Sequence, residues 1–353
     1  MWGRASALLI AMGELRIGTS GWNYPTGKGT WNGLFYPPRK GRASTMRGFD
    51  ELSYYAEHFN TVEVNSTFYG TPRAQVSRAW ADRTPAGFEF SLKLYQKFTH
   101  PGMYKAARLG DLPASPEELD ALARVNRADI DQFRSGIEPL ATTGKLGALL
   151  AQFPPSFKDT PESRGYLEWM LTAFREYPVS VELRHSTWSD RVADTVELLN
   201  GFGAAWTQID EPKFRSSIRQ NQLPNVRTFY YMRLHGRNAA QWWKHDATED
   251  RYNYLYSPEE LQPLAETATA ARAIVKKAYL YMNNHFAAKS VANAVMIKHL
   301  TGDRIDGEYP QALVDRYDVL ADLVQTTDSW ASAPREEPAG VSAASRRKTR
   351  SRS

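Results

Sequence analysis

The stretch VSVELR, residues 179–184, alternates apolar and polar side chains without interruption. The two valines and the leucine share one parity, while Ser180, Glu182 and Arg184 share the other. Successive side chains of a β-strand point to opposite faces, so this pattern predicts a strand with one apolar and one polar face. The charged residues come last, which places them at the carboxyl end of the predicted strand.

Similar runs recur along the chain and alternate with segments of helical periodicity. The predicted strands are Leu15–Ser20, Thr61–Asn65, Phe88–Lys93, Leu146–Phe153, Val179–Arg184, Ala204–Asp210, Phe229–His235 and Ala278–Asn284. Strands that alternate with helices predict a parallel sheet. Eight such units predict an α/β fold of the (β/α)8 type, a TIM-like barrel.

The helical segments between these strands carry recognisable start signals. Ser115-Pro116 and Ser257-Pro258 each place an N-cap serine before a proline at the first helical position. The main predicted helices are Phe49–Phe59, Gln75–Ala81, Leu167–Tyr177, Arg191–Gly201, Leu261–Lys277 and Lys289–Thr301.

The chain divides by composition into three predicted parts. Residues 15–330 form one barrel domain, with insertions at Thr99–Leu140 and Gly236–Ser257 after the third and seventh strands. Residues 1–14 form an N-terminal extension, and Met12 is an alternative start because the strand pattern begins only at Leu15. Residues 331–353 form a basic tail, rich in Ser, Ala, Pro and Arg, whose composition predicts disorder.

Composition excludes several classes of protein. The 353 residues include no cysteine, which excludes disulfides, thiolate metal sites and cysteine nucleophiles. The net charge is +5, but six basic and two acidic residues lie after Trp330, so the tail carries most of it. The basic character is therefore mainly a property of the tail and does not imply a basic nucleic-acid-binding body. No apolar stretch has the length of a membrane span, and we expect a cytoplasmic protein.

The same alternation places polar side chains on the inward parity near the carboxyl ends of several strands. These residues are Glu63, Asn65, Ser91, Lys93, Ser180, Glu182, Arg184, Tyr231, Arg233, His235, Tyr281 and Asn283. Active sites of this fold occupy that rim, so the pattern predicts one shared polar site. Buried charges must be paired, and we expect Glu63, Glu182 and Asp210 to partner Lys93, Arg184 and Arg233. A salt-bridge network with a purely structural role is the alternative.

Long motifs in the chain resemble those of a known family. They are IGTSGW at 17–22 followed by Tyr24-Pro25, Phe35-Tyr36-Pro37, TVEVNSTFY at 61–69, ALLAQFPPSF at 148–157, VELRHSTW at 181–188, RLHG at 233–236 and YMNN at 281–284. The chain resembles the YecE-like family, the domain of unknown function 72, from Leu15 to Leu300. The resemblance implies a TIM-barrel fold but no settled activity. His285 departs from the acidic or small polar residue expected there.

The motif residues implied by this resemblance coincide with the predicted strand ends. They are Gly21, Trp22, Tyr24, Glu63, Asn65, Phe68, Tyr69, Glu182, Arg184, His185, Arg233, His235, Asn283 and Asn284.

Our first functional hypothesis is an acid-base enzyme, a hydrolase or lyase, acting on a small polar molecule that is anionic or contains a sugar. Glu63 and Glu182 would be the catalytic acid and base, and His235 would shuttle protons near neutral pH. The expected substrate-binding residues are Lys93, Arg184 and Arg233 for negative charge, Asn65, Asn283 and Asn284 for polar groups, and Trp22, Tyr24, Phe68 and Tyr69 as aromatic walls.

Two other functions remain open at this point. One is a nucleic-acid-associated protein that uses aromatic loops and the Arg-rich tail, although the body charge does not favour it. The other is a non-catalytic barrel that binds a ligand. No cofactor is predicted, and a divalent metal held by Glu63, Glu182, Asp210 and His235 is the weaker alternative because no clustered histidine motif accompanies them. No membrane partner is predicted, and the sequence leaves the oligomeric state open.

Overall fold

A computed structural model describes residues 12–38, 48–220, 228–243 and 246–328. Most of the predicted N-terminal extension and the whole of the predicted tail at 331–353 lie outside these described residues. None of the described helices has the length and apolar character of a membrane span.

The described strands and helices alternate along most of the chain. The strands are β1 (Glu14–Thr19), β2 (Thr61–Val64), β3 (Glu89–Lys93), β4 (Leu146–Gln152), β5 (Val179–Glu182), β6 (Ala205–Trp206), β7 (Gln208–Asp210), β8 (Tyr230–Leu234), β9 (Lys277–Met282), β10 (Glu308–Pro310) and β11 (Gln325–Thr327). The α-helices are α1 (Glu51–His58), α2 (Ser66–Tyr69), α3 (Ala74–Asp82), α4 (Gln96–Thr99), α5 (Pro101–Tyr104), α6 (Pro116–Ala123), α7 (Arg127–Thr142), α8 (Pro161–Ala173), α9 (Thr187–Asp190), α10 (Val192–Gly201), α11 (Pro258–Arg272), α12 (Lys289–Thr301) and α13 (Gln311–Arg316). Short 3-10 turns cover Thr248–Tyr252, Phe286–Ala288 and Asp318–Leu320, and a π-helical turn covers Lys105–Leu109.

The predicted helix starts at Ser115 and Ser257 are confirmed. Each serine side chain accepts a hydrogen bond from the backbone N–H three residues later, and the glutamate at that position bonds back to the serine N–H. These capping boxes satisfy two backbone donors that an uncapped helix would leave without partners.

The principal strands form two parallel sheets. One has the order β1-β9-β8-β7 and the other has the order β2-β3-β4-β5-β6. A parallel bridge joins Ser20, just after β1, to Glu63 in β2, and the Gly21 N–H donates to the Glu63 carbonyl at 2.7 Å. Gly18 allows this close approach, since a Cβ at that position would overlap the Thr61 carbonyl. A small separate sheet pairs β10 with β11.

The sixth predicted strand is interrupted, and the interruption has a visible cause. Thr207 separates β6 from β7. There the side-chain amide of Gln220 donates to the Thr207 carbonyl at 2.8 Å and accepts from the Ile209 N–H at 3.0 Å. A side chain thus supplies hydrogen bonds that a neighbouring strand would otherwise provide.

Buried apolar side chains sort into two clusters by strand parity. In β8, Tyr230, Met232 and Leu234 pack in the larger cluster with the helices. Tyr231 packs in a smaller cluster together with residues from both sheets, among them Leu150 of β4. The alternation seen in the sequence therefore separates a helix-facing core from an inner core between the sheets.

Candidate functional site

The centre of the site is Arg233 on β8, whose guanidinium holds carboxylates from two strands of the other sheet. Its Nε and Nη2 donate to the two oxygens of Glu63, at 2.9 and 2.7 Å. Its Nη1 donates to Glu182 at 2.5 Å and to the Gln152 side-chain oxygen at 3.2 Å. Arg233, Glu63 and Glu182 are all buried, so each charge depends on the others for compensation.

A second arginine extends this network toward solvent. The Nε of Arg184 donates to Glu182 at 2.7 Å, and its Nη1 lies 3.5 Å from Glu211. Burial alone would raise the pKa of Glu182, but the positive charges of Arg233 and Arg184 hold it well below its ordinary value. Glu182 is therefore an anion throughout the neutral range. A role for Glu182 as the protonated acid near pH 7 gains no support from this geometry.

His235 lies at the same strand ends and is fully enclosed. Its Nδ1 is 2.8 Å from the side-chain nitrogen of Asn283, and its Nε2 is 3.6 Å from Glu182. Burial, and then the charge of Arg233, lower the pKa of His235 to about 3. The imidazole is therefore neutral at pH 7, and this pKa does not favour the predicted proton shuttle.

Lys93, the last residue of β3, differs from the other charges around it. Its ammonium lies over the Phe68 ring at 4.1 Å from the centroid, and the side chain is partly exposed. Among the described residues, no carboxylate lies within ion-pair distance of it. Burial, and then the charge of Arg233, lower the pKa of Lys93 to about 7, although Glu182 opposes this. We call Glu63, Lys93, Glu182, Arg184, Glu211, Arg233 and His235 the strand-end cluster.

The sequence was wrong about Asp210, which does not join the cluster. Both its oxygens accept hydrogen bonds from Arg237, at 2.9 and 2.8 Å, and Tyr256 donates to it at 2.7 Å. The register explains this, because Asp210 pairs with Leu234, a helix-facing residue of β8. The next residue, Glu211, has the opposite parity, and its carboxylate reaches Arg184. Alternation counted from Trp206, which faces the helices, would have predicted that Glu211 rather than Asp210 faces the cluster.

The predicted amide residues separate into different roles. Asn283 contacts His235, as described above. Asn284 instead donates to the Tyr254 carbonyl at 2.8 Å and to the Asn293 side chain at 2.7 Å, which ties a loop to α12. Asn65 precedes α2 and is partly exposed. Of these three, the structure brings Asn283 into direct contact with the cluster.

The predicted aromatic residues also separate. Phe68 lies beneath Lys93, whereas Tyr69 is largely exposed. Tyr24 stacks on His285 with ring centroids 4.0 Å apart, and Trp22 packs edge-on against Trp80 of α3. Phe68 thus contacts the cluster directly, through the Lys93 ammonium.

Two further histidines, His100 and His285, lie near the site, and the sequence patterns indicated a function for neither. His100 follows α4, and burial followed by the charge of Lys93 lowers its pKa to about 3. The His285 ring stacks on Tyr24 with ring centroids 4.0 Å apart, and the Tyr252 ring lies tilted against it with a centroid distance of 4.8 Å. Its departure from the expected residue type therefore has a packing role. The position of His100 depends on a non-repetitive turn, which strand parity does not describe.

The four residues considered for a metal do not form one site. Asp210 lies on the helix-facing side, while both Glu63 and Glu182 accept hydrogen bonds from Arg233. Among the described residues, no three His, Asp or Glu side chains converge in a metal-binding arrangement. A groove of about 910 Å³ lies elsewhere, beside α1 and β10, and includes no residue of the cluster.

Comparison with known proteins gives a consistent result. Residues 16–313 match the family model described as protein of unknown function DUF72. The UPF0759 protein YunF of Bacillus subtilis is 26% identical over 309 residues, which cover 84% of this chain and 98% of that protein. The UPF0759 protein YecE of Escherichia coli K12 is 27% identical over 140 residues, covering 39% of this chain and 43% of that protein.

Solved structures agree with these sequence matches. A DUF72 family protein from Thermotoga maritima is 29% identical with a TM-score of 0.64, and the match covers 82% of this chain and 99% of that one. A DUF72 family protein from Enterococcus faecalis is 23% identical with the same TM-score of 0.64, over 83% of this chain and 97% of that one, and supports the fold.

Proposed function

Because the chain belongs to the DUF72 family, and the matched region contains the whole strand-end cluster, we propose that this cluster is the functional centre of the protein. It binds a small polar molecule through a carboxylate, phosphate or carbonyl oxygen. The protein acts on this molecule as an enzyme of acid-base type, a hydrolase or lyase. Lys93, rather than the Glu63–Glu182 pair, is the group that exchanges a proton with the substrate.

The observation that carries this proposal is the isolation of the Lys93 ammonium. Arg233 and Arg184 are engaged with carboxylates of the protein itself, at 2.7 Å or closer for the shortest contact of each. Lys93 has an aromatic face beneath it and, among the described side chains, no anionic partner. A partly exposed cation without a partner is suited to meet a ligand oxygen. A lysine with a pKa near 7 is also suited to accept a proton at neutral pH.

We further propose that the two sheets close into one (β/α)8 barrel within residues 15–330. The Ser20–Glu63 bridge joins β1 to β2 at one junction, and β6 and β7 are consecutive at the other. The guanidinium of Arg233 spans the space between the sheets. Such closure would place the cluster at the carboxyl ends of the strands, where sites of this fold lie. An experimental structure with an open seam between β1 and β2 would contradict it.

Ligand binding to matched lysine variants tests the function. Small molecules that co-purify with the full chain are identified by mass spectrometry. These molecules, together with phosphate, small carboxylates and sugar phosphates, form the set of test ligands. Each is titrated calorimetrically into the wild type, Lys93→Met and Lys28→Met, where Lys28 is an exposed lysine outside the cluster. We expect binding to weaken about tenfold or more in Lys93→Met, the loss of one charged contact. Equal affinities in the two variants would refute the proposal.

A further inference from the structure

We propose that Lys93 is an amine nucleophile, which condenses with the carbonyl group of a small anionic aldehyde or ketone to form a covalent iminium. This inference rests on the proposed function and adds to it a substrate class and a covalent step. The charged contact that binds the anionic group of such a molecule would come from Nη1 of the partly exposed Arg184. The Nε and Nη2 of this arginine are held by Glu182, whereas its Nη1 has a longer contact of 3.5 Å with Glu211.

The first argument is a comparison of the partly exposed Lys93 with three buried lysines. The ammonium of Lys97 lies 3.0 and 2.9 Å from the two oxygens of Asp129. Lys145 donates to three oxygens between 2.6 and 3.0 Å, and Lys298 donates to a backbone carbonyl at 2.8 Å. Each of these amines is fixed as a cationic donor in a structural role. Lys93 has none of these contacts among the described residues, so its nitrogen is free to react.

The second argument is the set of charges that face this nitrogen from the surrounding elements. Arg233 on β8 and Arg184 after β5 oppose protonation of Lys93, whereas Glu182 on β5 and Glu63 on β2 favour it; His100 after α4 is neutral and adds no charge. The carboxylates are already hydrogen-bonded to the two arginines. Burial and the neighbouring cations therefore disfavour a protonated Lys93, which is how proteins activate a lysine toward carbonyl compounds.

The chemistry balances without a further reagent. The lone pair of the neutral amine attacks the carbonyl carbon, and one of the two amine hydrogens moves to the carbonyl oxygen to give a carbinolamine. One proton from solvent then converts the hydroxyl group into water, which leaves as the nitrogen lone pair forms the C=N bond. The iminium nitrogen keeps the second amine hydrogen. No oxidant or reductant is required. The iminium carries the same single positive charge as the protonated lysine, so the cluster keeps its charge balance.

The reactivity of the wild-type protein gives the direct test. Full-length protein is treated at pH 7 with limiting formaldehyde and cyanoborohydride, and methylation of each lysine is followed by peptide mass spectrometry. With a pKa of about 7, about half of Lys93 is unprotonated at this pH, against roughly one part in 2500 for an ordinary lysine. Lower basicity reduces the nucleophilicity of the free amine, so we expect Lys93 to react roughly tenfold or more faster than the exposed Lys28. The ion-paired Lys97 serves as the buried control.

A second probe tests the substrate class. Glyoxylate, the smallest anionic aldehyde, is offered with the same reductant to the wild type and to Lys93→Arg. We expect a carboxymethyl adduct at Lys93 in the wild type and none at residue 93 of the variant. Methylation of Lys93 no faster than of Lys28 overturns the inference, and so does glyoxylate labelling that is uniform over the lysines.

These outcomes are separable from failure of the proposed function. The ligand titrations judge binding, and Lys93→Arg keeps a cation while removing the nucleophile. Intact binding in Lys93→Arg, together with an unreactive Lys93 in the wild type, leaves the binding site standing and removes the covalent step. If Lys93 is reactive but Lys93→Met leaves binding unchanged, the nucleophilic amine is supported and the proposed binding role of Lys93 is refuted.

Discussion

Replacing Arg233 with methionine should destabilise the protein by removing the cation that two buried carboxylates share. The variant keeps most of the side-chain volume but deletes the three hydrogen bonds to Glu63 and Glu182, at 2.9, 2.7 and 2.5 Å. Glu182 retains Arg184 as a partner, whereas Glu63 keeps, among the described side chains, the Tyr231 hydroxyl as its hydrogen-bond donor at 2.8 Å. The cost therefore falls mainly on Glu63. We expect the free energy of unfolding to decrease by roughly 3–5 kcal/mol, as for a broken buried ion pair.

Urea unfolding at pH 7, followed by circular dichroism, measures this change. The exposed Arg127, paired with Asp131 on one helix, provides the matched control, and Arg127→Met should leave the unfolding curve unchanged within error. A rescue experiment is sharper. Adding Glu63→Gln to Arg233→Met should recover more stability than adding Glu182→Gln, because Glu63 is the carboxylate left without a cation. A loss below about 1 kcal/mol, or equal rescue by both glutamines, would refute the network described here.

Three further predictions follow from other contacts. Asp210→Asn should cost about 1–3 kcal/mol of unfolding free energy through the weakened Arg237 pair, yet leave ligand affinity unchanged in the titrations, since Asp210 faces away from the cluster. Burial alone would raise the pKa of Asp50, but Arg83 lowers it from 3.8 to about 2. The Asp50–Arg83 pair therefore stabilises the fold above pH 4, and this stabilisation disappears as the pH falls toward 2. The urea midpoints of the wild type and Asp50→Asn should converge between pH 4 and pH 2, and a constant difference would contradict this. Deleting residues 331–353 should not alter small-ligand affinity by calorimetry, and a loss of affinity would move the binding site toward the tail.

Strand parity predicted the contacts at the centre of the site. Glu63, Glu182 and Arg233 each occupy the polar parity of an otherwise apolar strand, and the structure brings these three side chains into direct hydrogen bonds. Period-two alternation is a local property of the backbone, so it can be read from a single strand. The roles of these residues in binding or catalysis stay predictions.

The parts that escaped prediction depend on interactions outside a single strand. Asp210 was placed on the wrong face because the run Ala204–Asp210 has apolar residues on both parities, and the packing of Trp206 against the helices is what fixes the outward one. The start of α8 at Pro161 was missed by six residues, although Thr160-Pro161-Glu162 repeats the start signal recognised elsewhere. The lack of a carboxylate partner for Lys93 could not be predicted from the sequence, because it depends on which carboxylates form ion pairs with Arg184 and Arg233.

The guanidinium of Arg233 also has a consequence for how the chain loses its structure. Its charge is compensated only while β2 and β5 of one sheet stand opposite β8 of the other. Either sheet alone would expose its inner apolar layer to water and lose the hydrogen bonds of Arg233, so a half-folded intermediate with one intact sheet gains neither stabilising contribution. This arrangement favours all-or-none unfolding over sequential melting of the two halves.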